Sequence, residues 1–238
     1  MGYKNFIRKA FNVIGLDIRK AKSDQKTVWL ESFDIKTVID VGANIGQFAN
    51  DARKLYPDAA IYSFEPLPGP YSELLVNTRS FTKFNSYNLA LGDYEGTTEM
   101  YINEFSQSSS LLEMEDSHKQ AFPHTKNTTS ITVNIQTLDL IASKLELDTD
   151  ILLKIDVQGF EKQVLDGGKE TLNKVKIIII ETSYIPLYKD QLLFAGVHDY
   201  LTKAGFQFHG NLGQLINPND GSILQGDSIF INHKMNEK

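Results

Sequence analysis

No cysteine occurs among the 238 residues, which excludes disulfides, thiolate nucleophiles and Cys-based zinc sites together. Basic charge is also short: Lys plus Arg is 24 against 30 Asp plus Glu, a net charge of −6, and no basic run offsets the deficit. Binding through contacts to many phosphates is therefore excluded, and nucleic acid is not an expected partner. Long hydrophobic runs are missing as well. The longest apolar stretch, 175–180, is interrupted by Lys176 and falls far short of the roughly 20 residues that span a bilayer. The first residues carry no signal-peptide hydrophobic region, so a cytoplasmic location is expected. Hydrophobic residues make up 41% and charged residues 23%, enough to bury a full core in a soluble α/β domain. The length suits one such domain and is too short for a dinucleotide enzyme with a separate full substrate domain.

Residues 3–18 place Phe6, Ile7, Phe11 and Ile14 at helical spacing among Lys4, Arg8 and Lys9. This pattern predicts an amphipathic N-terminal helix within a segment 1–35, docked on a main domain 36–238. A lipid surface is the rival partner, because the segment is basic and aromatic. From Lys36 onward, β-rich runs at 37–41, 61–64, 86–91, 151–155 and 176–181 alternate with helical stretches at 46–55, 70–79, 138–145, 161–172 and 191–204. Such alternation predicts a parallel sheet covered on both faces. Residues 97–103 and 130–136 are strand-like without helices of their own, and 106–129 between them reads as a long loop. Residues 206–209 and 228–232 are two strands joined by a Gly/Asn/Pro-rich connection, so they are expected to pair antiparallel.

The strongest local pattern is Asp40-Val41-Gly42-Ala43-Asn44-Ile45-Gly46-Gln47-Phe48, a buried strand turning through two glycines into a helix. Glycines there let the backbone approach a ligand, and free N–H groups at a helix start can hold an anionic group. The dinucleotide pattern would need glycine where Asn44 and Gln47 stand. Asp40 would repel a pyrophosphate but accept hydrogen bonds from hydroxyl and amine donors. These residues favour S-adenosylmethionine over NAD, with Gly42, Ala43, Asn44, Gly46, Gln47 and Phe48 around it. The plainer alternative is a strand–helix turn that needs glycine for packing. Glu65, followed by Pro66, ends the next strand, where an acid can accept from both ribose hydroxyls. Asp93 closes the third strand, as a boundary of the adenine pocket or as a solvated turn acid.

In Leu153-Lys154-Ile155-Asp156-Val157-Gln158-Gly159-Phe160-Glu161, Lys154 and Asp156 project from the carboxyl end of a buried strand, where doubly wound sheets keep their ligands. Buried charges of this kind either pair or act. Glu161 starts the next helix, where a carboxylate also suits the helix dipole. Glu181 ends the following apolar run at the same sheet edge. Asp156 and Glu181 can thus supply a general base or a divalent-metal site. No phosphate-binding loop, zinc-protease or serine-hydrolase pattern occurs, and the histidines show no metal spacing; only His209, on a late strand, is a candidate to line the site.

These residues resemble the FkbM family of S-adenosylmethionine-dependent methyltransferases across about 37–232. The resemblance rests on 40–46, Phe64-Glu65-Pro66, Ala90-Leu91-Gly92-Asp93 with Gly96, Ser108-Ser109-Ser110-Leu111, Thr137-Leu138-Asp139, and most specifically 153–161 followed by Val164-Leu165 and Gly167. The family usually carries Glu where Gln158 stands, so this chain lacks that carboxylate while keeping Asp156 and Glu161. The resemblance implies a class I methyltransferase fold: a Rossmann-like three-layer sandwich whose seven-stranded, mostly parallel sheet ends in an antiparallel last strand. It also implies O-methylation, members acting on sugars of surface polysaccharides or on hydroxyls of secondary metabolites. The expected partner is a small-molecule or glycan acceptor. Asp156 is the first choice of base, Glu181 the second, and Lys154 the group that holds the base or steadies alkoxide charge. A polyketide or lipid-like hydroxyl is the alternative acceptor, and a non-catalytic binding module the alternative class. The 106–129 loop is expected to act as a lid or acceptor-binding element.

Overall fold

A computed structural model describes residues 29–103, 109–112, 114–115 and 128–233. The expected helix at 3–18 lies outside the described residues, as does most of the 106–129 loop. The chain divides into two units, Met1–Phe33 and Asp34–Lys238. In the first, a 3-10 turn occupies Leu30–Ser32, where the Ser32 hydroxyl donates to the Trp29 carbonyl.

The second unit runs β1 (Thr37–Val41), α1 (Gln47–Leu55), β2 (Ala60–Phe64), α2 (Pro68–Asn77), β3 (Phe84–Tyr87), β4 (Ala90–Gly92), β5 (Gly96–Asn103), β6 (Thr128–Thr137), α3 (Leu138–Ala142), β7 (Ile151–Ile155), α4 (Glu161–Asp166), α5 (Lys169–Leu172), β8 (Val175–Ser183), α6 (Phe194–Ala204), β9 (Phe206–Ile216) and β10 (Ile223–Asn232). Seven strands form one sheet in the order β3-β2-β1-β7-β8-β10-β9. Neighbours from β3 to β8 pair in parallel, and β10 is antiparallel to both β8 and β9. The central strands are buried on both faces, which is why they read as continuous apolar runs. One face carries Ile39, Val41, Leu153, Ile155, Ile178 and Ile180, clustered with Leu138, Val164, Leu165, Val197 and Leu201 from α3, α4 and α6. Val38, Leu152, Ile177 and Ile179, pointing to the other face, are buried too.

Three elements differ from the sequence expectation. The run 86–91 is two strands: β3 joins the large sheet, while β4 leaves it to pair with β6, which also pairs with β5 in a separate three-stranded sheet. The break falls at Asn88, whose side-chain amide donates to the Glu65 and Pro66 carbonyls instead of continuing the strand. The helix expected at 161–172 breaks at Gly167 and Gly168 into α4 and α5. The terminal hairpin is much longer than expected. Its strands pass through three register shifts, and such bulges obscure strand periodicity in sequence.

Candidate active site

A cavity of about 610 Å³ opens over the carboxyl ends of β1, β2 and β7. Its floor follows from the strand order. Because β1 lies between β2 and β7, Asp40 stands beside Ser63 and Lys154 in register. The turn after β1 is pinned by Gly42 and Ala43, whose N–H groups donate to the Phe64 carbonyl at 3.0 and 2.9 Å. Gly42 has φ +79°, and a Cβ there would lie 1.8 Å from the Asp156 carbonyl oxygen. Glycine is required because the end of β7 passes directly behind the turn.

The structure brings most of the expected residues together. Asp40, Gly42, Ala43, Asn44, Gln47, Phe48, Glu65, Pro66, Lys154, Asp156 and Glu181 all line the cavity. Gly46 does not. It has φ +91°, and a Cβ would meet Leu74 of α2 at 2.8 Å, so glycine here allows α2 to pack closely against the turn. Asp93 is exposed past the end of β4 and lies off the cavity, which is bounded there by Leu89, Ala90 and Leu91 instead. His209 is likewise exposed and off the cavity, because β9 is the far edge of the sheet.

Two buried carboxylates mark the glycine-turn end. Asp40 accepts from the Ser63 hydroxyl at 3.2 Å through Oδ2, while its buried Oδ1 has no hydrogen-bond partner. Burial pushes its pKa up to about 6, against the pull of Lys154 and Ser63. Glu65 accepts one backbone N–H on each oxygen, from Asn44 and from Leu67, both at 2.8 Å. Burial nevertheless raises its pKa to about 7.

At the other end, the buried Lys154 ammonium lies 2.9 Å from Asp156 Oδ2, 4.0 Å from Asp227 and 5.9 Å from the Phe48 ring centroid. Burial works against its charge, but Asp156 and Asp227 hold its pKa above the ordinary value. Burial also opposes charge on Asp156, yet Lys154 keeps that carboxyl below its usual range. Glu181 moves the opposite way: burial and the Asp156 charge push it well above the usual value. The side-chain amide of Gln158 lies between the two acids and donates to Asp156 Oδ1 at 2.9 Å and Glu181 Oε2 at 2.7 Å. Among the described residues no group of three His, Cys, Asp or Glu is arranged to hold a metal ion. Glu161 is buried and accepts the N–H groups of Val157 and Gly159, so it shapes the turn after β7.

Sequence reasoning missed Gln225, which lines the cavity and donates to Glu181 at 2.9 Å. It also missed Tyr188, Asp227 and the apolar lining from Met100 and Leu215. Gln158 sits inside the most specific motif and was legible as a departure, though not as a bridge. Nothing local marked Gln225. The described stretch 109–112 of the long loop reaches the site: Ser109 and Leu111 line the cavity, and the Ser110 hydroxyl donates to the Gln158 carbonyl.

The strand order, with an antiparallel last strand inserted between two parallel ones and a cavity at the carboxyl edge, defines a class I methyltransferase fold. The crystal structure of methyltransferase FkbM from Methylobacillus flagellatus KT superposes with a TM-score of 0.52 at 13% identity, covering 87% of this chain and 47% of that one. The sequence matches the FkbM methyltransferase domain over residues 40–208, and the chain belongs to that family of methyltransferases. It is 29% identical to 2-O-methyltransferase NoeI of Sinorhizobium fredii over 69% of this chain and 70% of that protein. Methyltransferase 1 of Beauveria bassiana is 27% identical over 56% of this chain and 59% of that protein.

Proposed function

We propose that residues 36–238 form an S-adenosylmethionine-dependent O-methyltransferase domain acting on a hydroxyl of a sugar-like acceptor, with 1–35 as an accessory segment. The observation that carries this reading is Asp156, ionised at the cavity floor between the glycine turn and Glu181, with a donor already on each oxygen. The residues at the turn suit the cofactor. Asp40 Oδ1 is a buried acceptor lacking a donor, and each Glu65 oxygen keeps a lone pair for a ribose hydroxyl after taking one N–H. When bound, S-adenosylmethionine supplies a methyl carbon on a sulfonium, which departs as a neutral thioether.

Asp156 takes the acceptor proton as the hydroxyl oxygen bonds to the methyl carbon. With Lys154, Gln158 and Glu181 bonded to it, one of the four lone-pair sites of the carboxylate remains for the acceptor hydroxyl. Lys154 fixes the carboxylate and offsets negative charge arising on the acceptor oxygen. Positioning supplies much of the rate, because methyl transfer needs in-line approach. The name of the NoeI relative supports oxygen as the acceptor atom. The polar rank of Lys154, Asp156, Glu181 and Gln225 supports a polyhydroxyl acceptor. Met100, Leu111 and Leu215 on the same cavity favour a second reading, a lipid-like or polyketide hydroxyl. Asp156→Asn tests the mechanism. It keeps size but cannot take the proton, so kcat should fall about 10²- to 10⁴-fold while the cofactor Kd by titration calorimetry stays near wild type. Full turnover with any acceptor would refute Asp156 as base, and an acceptor panel of glycans against acyl alcohols separates the two substrate readings.

A further inference from the structure

Gln158 is held from four sides. Its backbone is in the left-handed region at φ +53°, a strained conformation for a residue with a side chain. Its carbonyl accepts from Ser110, and its side-chain carbonyl accepts from the Tyr188 hydroxyl at 2.7 Å. Ionised Asp156 can only accept, so the NH₂ group of Gln158 faces the carboxylates and its carbonyl oxygen is left to the hydroxyl of buried Tyr188. That group donates at once to Asp156 and to Glu181, and Gln225 adds a second donor to the same Glu181 oxygen. Two carboxyl groups brought this close repel unless a proton, a donor or a cation lies between them.

We infer that Gln158, oriented by Tyr188, is the positioning residue of the base: its neutral amide joins Asp156 to Glu181 where a divalent cation would otherwise sit, so methyl transfer runs without a metal. The inference rests on Asp156 being the base, and deepens that reading. The amide leaves the acceptor-facing lone pair of Asp156 free, whereas a cation would draw on it.

The test uses the full-length protein with Gln158→Met, Gln158→Glu and Tyr188→Phe. Gln158→Met matches the volume but donates nothing; kcat should fall about 10²-fold, the scale of a small misplacement, with the cofactor Kd and acceptor KM unchanged. Tyr188→Phe frees the amide to turn over and should show the same split, about tenfold in kcat. Gln158→Glu places three carboxyl groups together, a hard-oxygen cage, and should bind Mn²⁺ at least tenfold more tightly than wild type by electron paramagnetic resonance. Wild-type activity should survive EDTA. Loss of wild-type activity in EDTA with recovery in Mn²⁺, or wild-type kcat in Gln158→Met, overturns the inference. An active Asp156→Asn measured alongside would instead remove the base assignment itself, so the two failures are distinguishable.

Discussion

Asp156 and Glu181 lie near the carboxyl ends of adjacent parallel strands, yet their surroundings move them in opposite directions. Lys154 at 2.9 Å keeps Asp156 ionised, while burial and the Asp156 charge push Glu181 well above its usual value. The carboxyl nearest the ammonium is thus the one its neighbour holds in the charged, proton-accepting form. Glu65 carries a second consequence. Burial raises its pKa to about 7, and hydroxyl donors from a bound ribose would favour the charged form and lower it. Cofactor binding should therefore release a proton below about pH 7, with affinity rising as pH increases and levelling above that value. From pH 8 to pH 6 the Kd should weaken about tenfold, measurable by calorimetry in buffers of different ionisation heat. Glu65→Gln should flatten that profile, and Glu65→Ala should weaken binding by about 1 to 3 kcal/mol through lost hydrogen bonds.

The turn between β1 and α1 works because two elements converge behind it. Gly42→Ala would drive a methyl group into the Asp156 carbonyl, and its left-handed backbone adds strain. The variant should lose about 3 kcal/mol of stability, read from urea unfolding, and the cofactor should not fully restore it. The β9–β10 hairpin makes a different kind of contribution. Its Leu215, Ile216 and Ile223 are exposed, and Leu215 also lines the cavity. If an acceptor packs there, Leu215→Asp should raise the acceptor KM severalfold while leaving the cofactor Kd unchanged; an unaltered KM would place the acceptor elsewhere. The hairpin's length was illegible locally because Gly210, Gly213 and Asn211 look like strand breakers, whereas the structure uses bulges to continue pairing through them.

At the scale of the whole molecule, several buried carboxyls, Glu181 among them, bind protons more tightly folded than unfolded. Asp40 is raised to about 6, and Glu65 and Glu161 to about 7. Their contribution to stability is complete below about pH 4 and is lost as pH rises toward 7. The thermal midpoint of the unliganded protein should therefore fall between pH 5 and pH 7.5 in differential scanning calorimetry. A midpoint that climbs over that interval would contradict the burial of these groups. The sequence by itself determined the succession of strands and helices after Lys36, because buried parallel strands must be short apolar runs. It also determined which polar residues close those runs: Asp40, Glu65, Asp156 and Glu181 each follow an apolar stretch and were readable as site residues. Only the tertiary structure decided which strand ends meet. β8 lies beside β7, and β10 folds back against β8, so Gln225 reaches Glu181 and Asp227 reaches toward Lys154 across long stretches of chain. It likewise decided that Gly46 packs on α2 and that Asp93 and His209 stand off the cavity. Local patterning records whether a residue faces core or solvent; which distant residues share a pocket follows from strand order and packing.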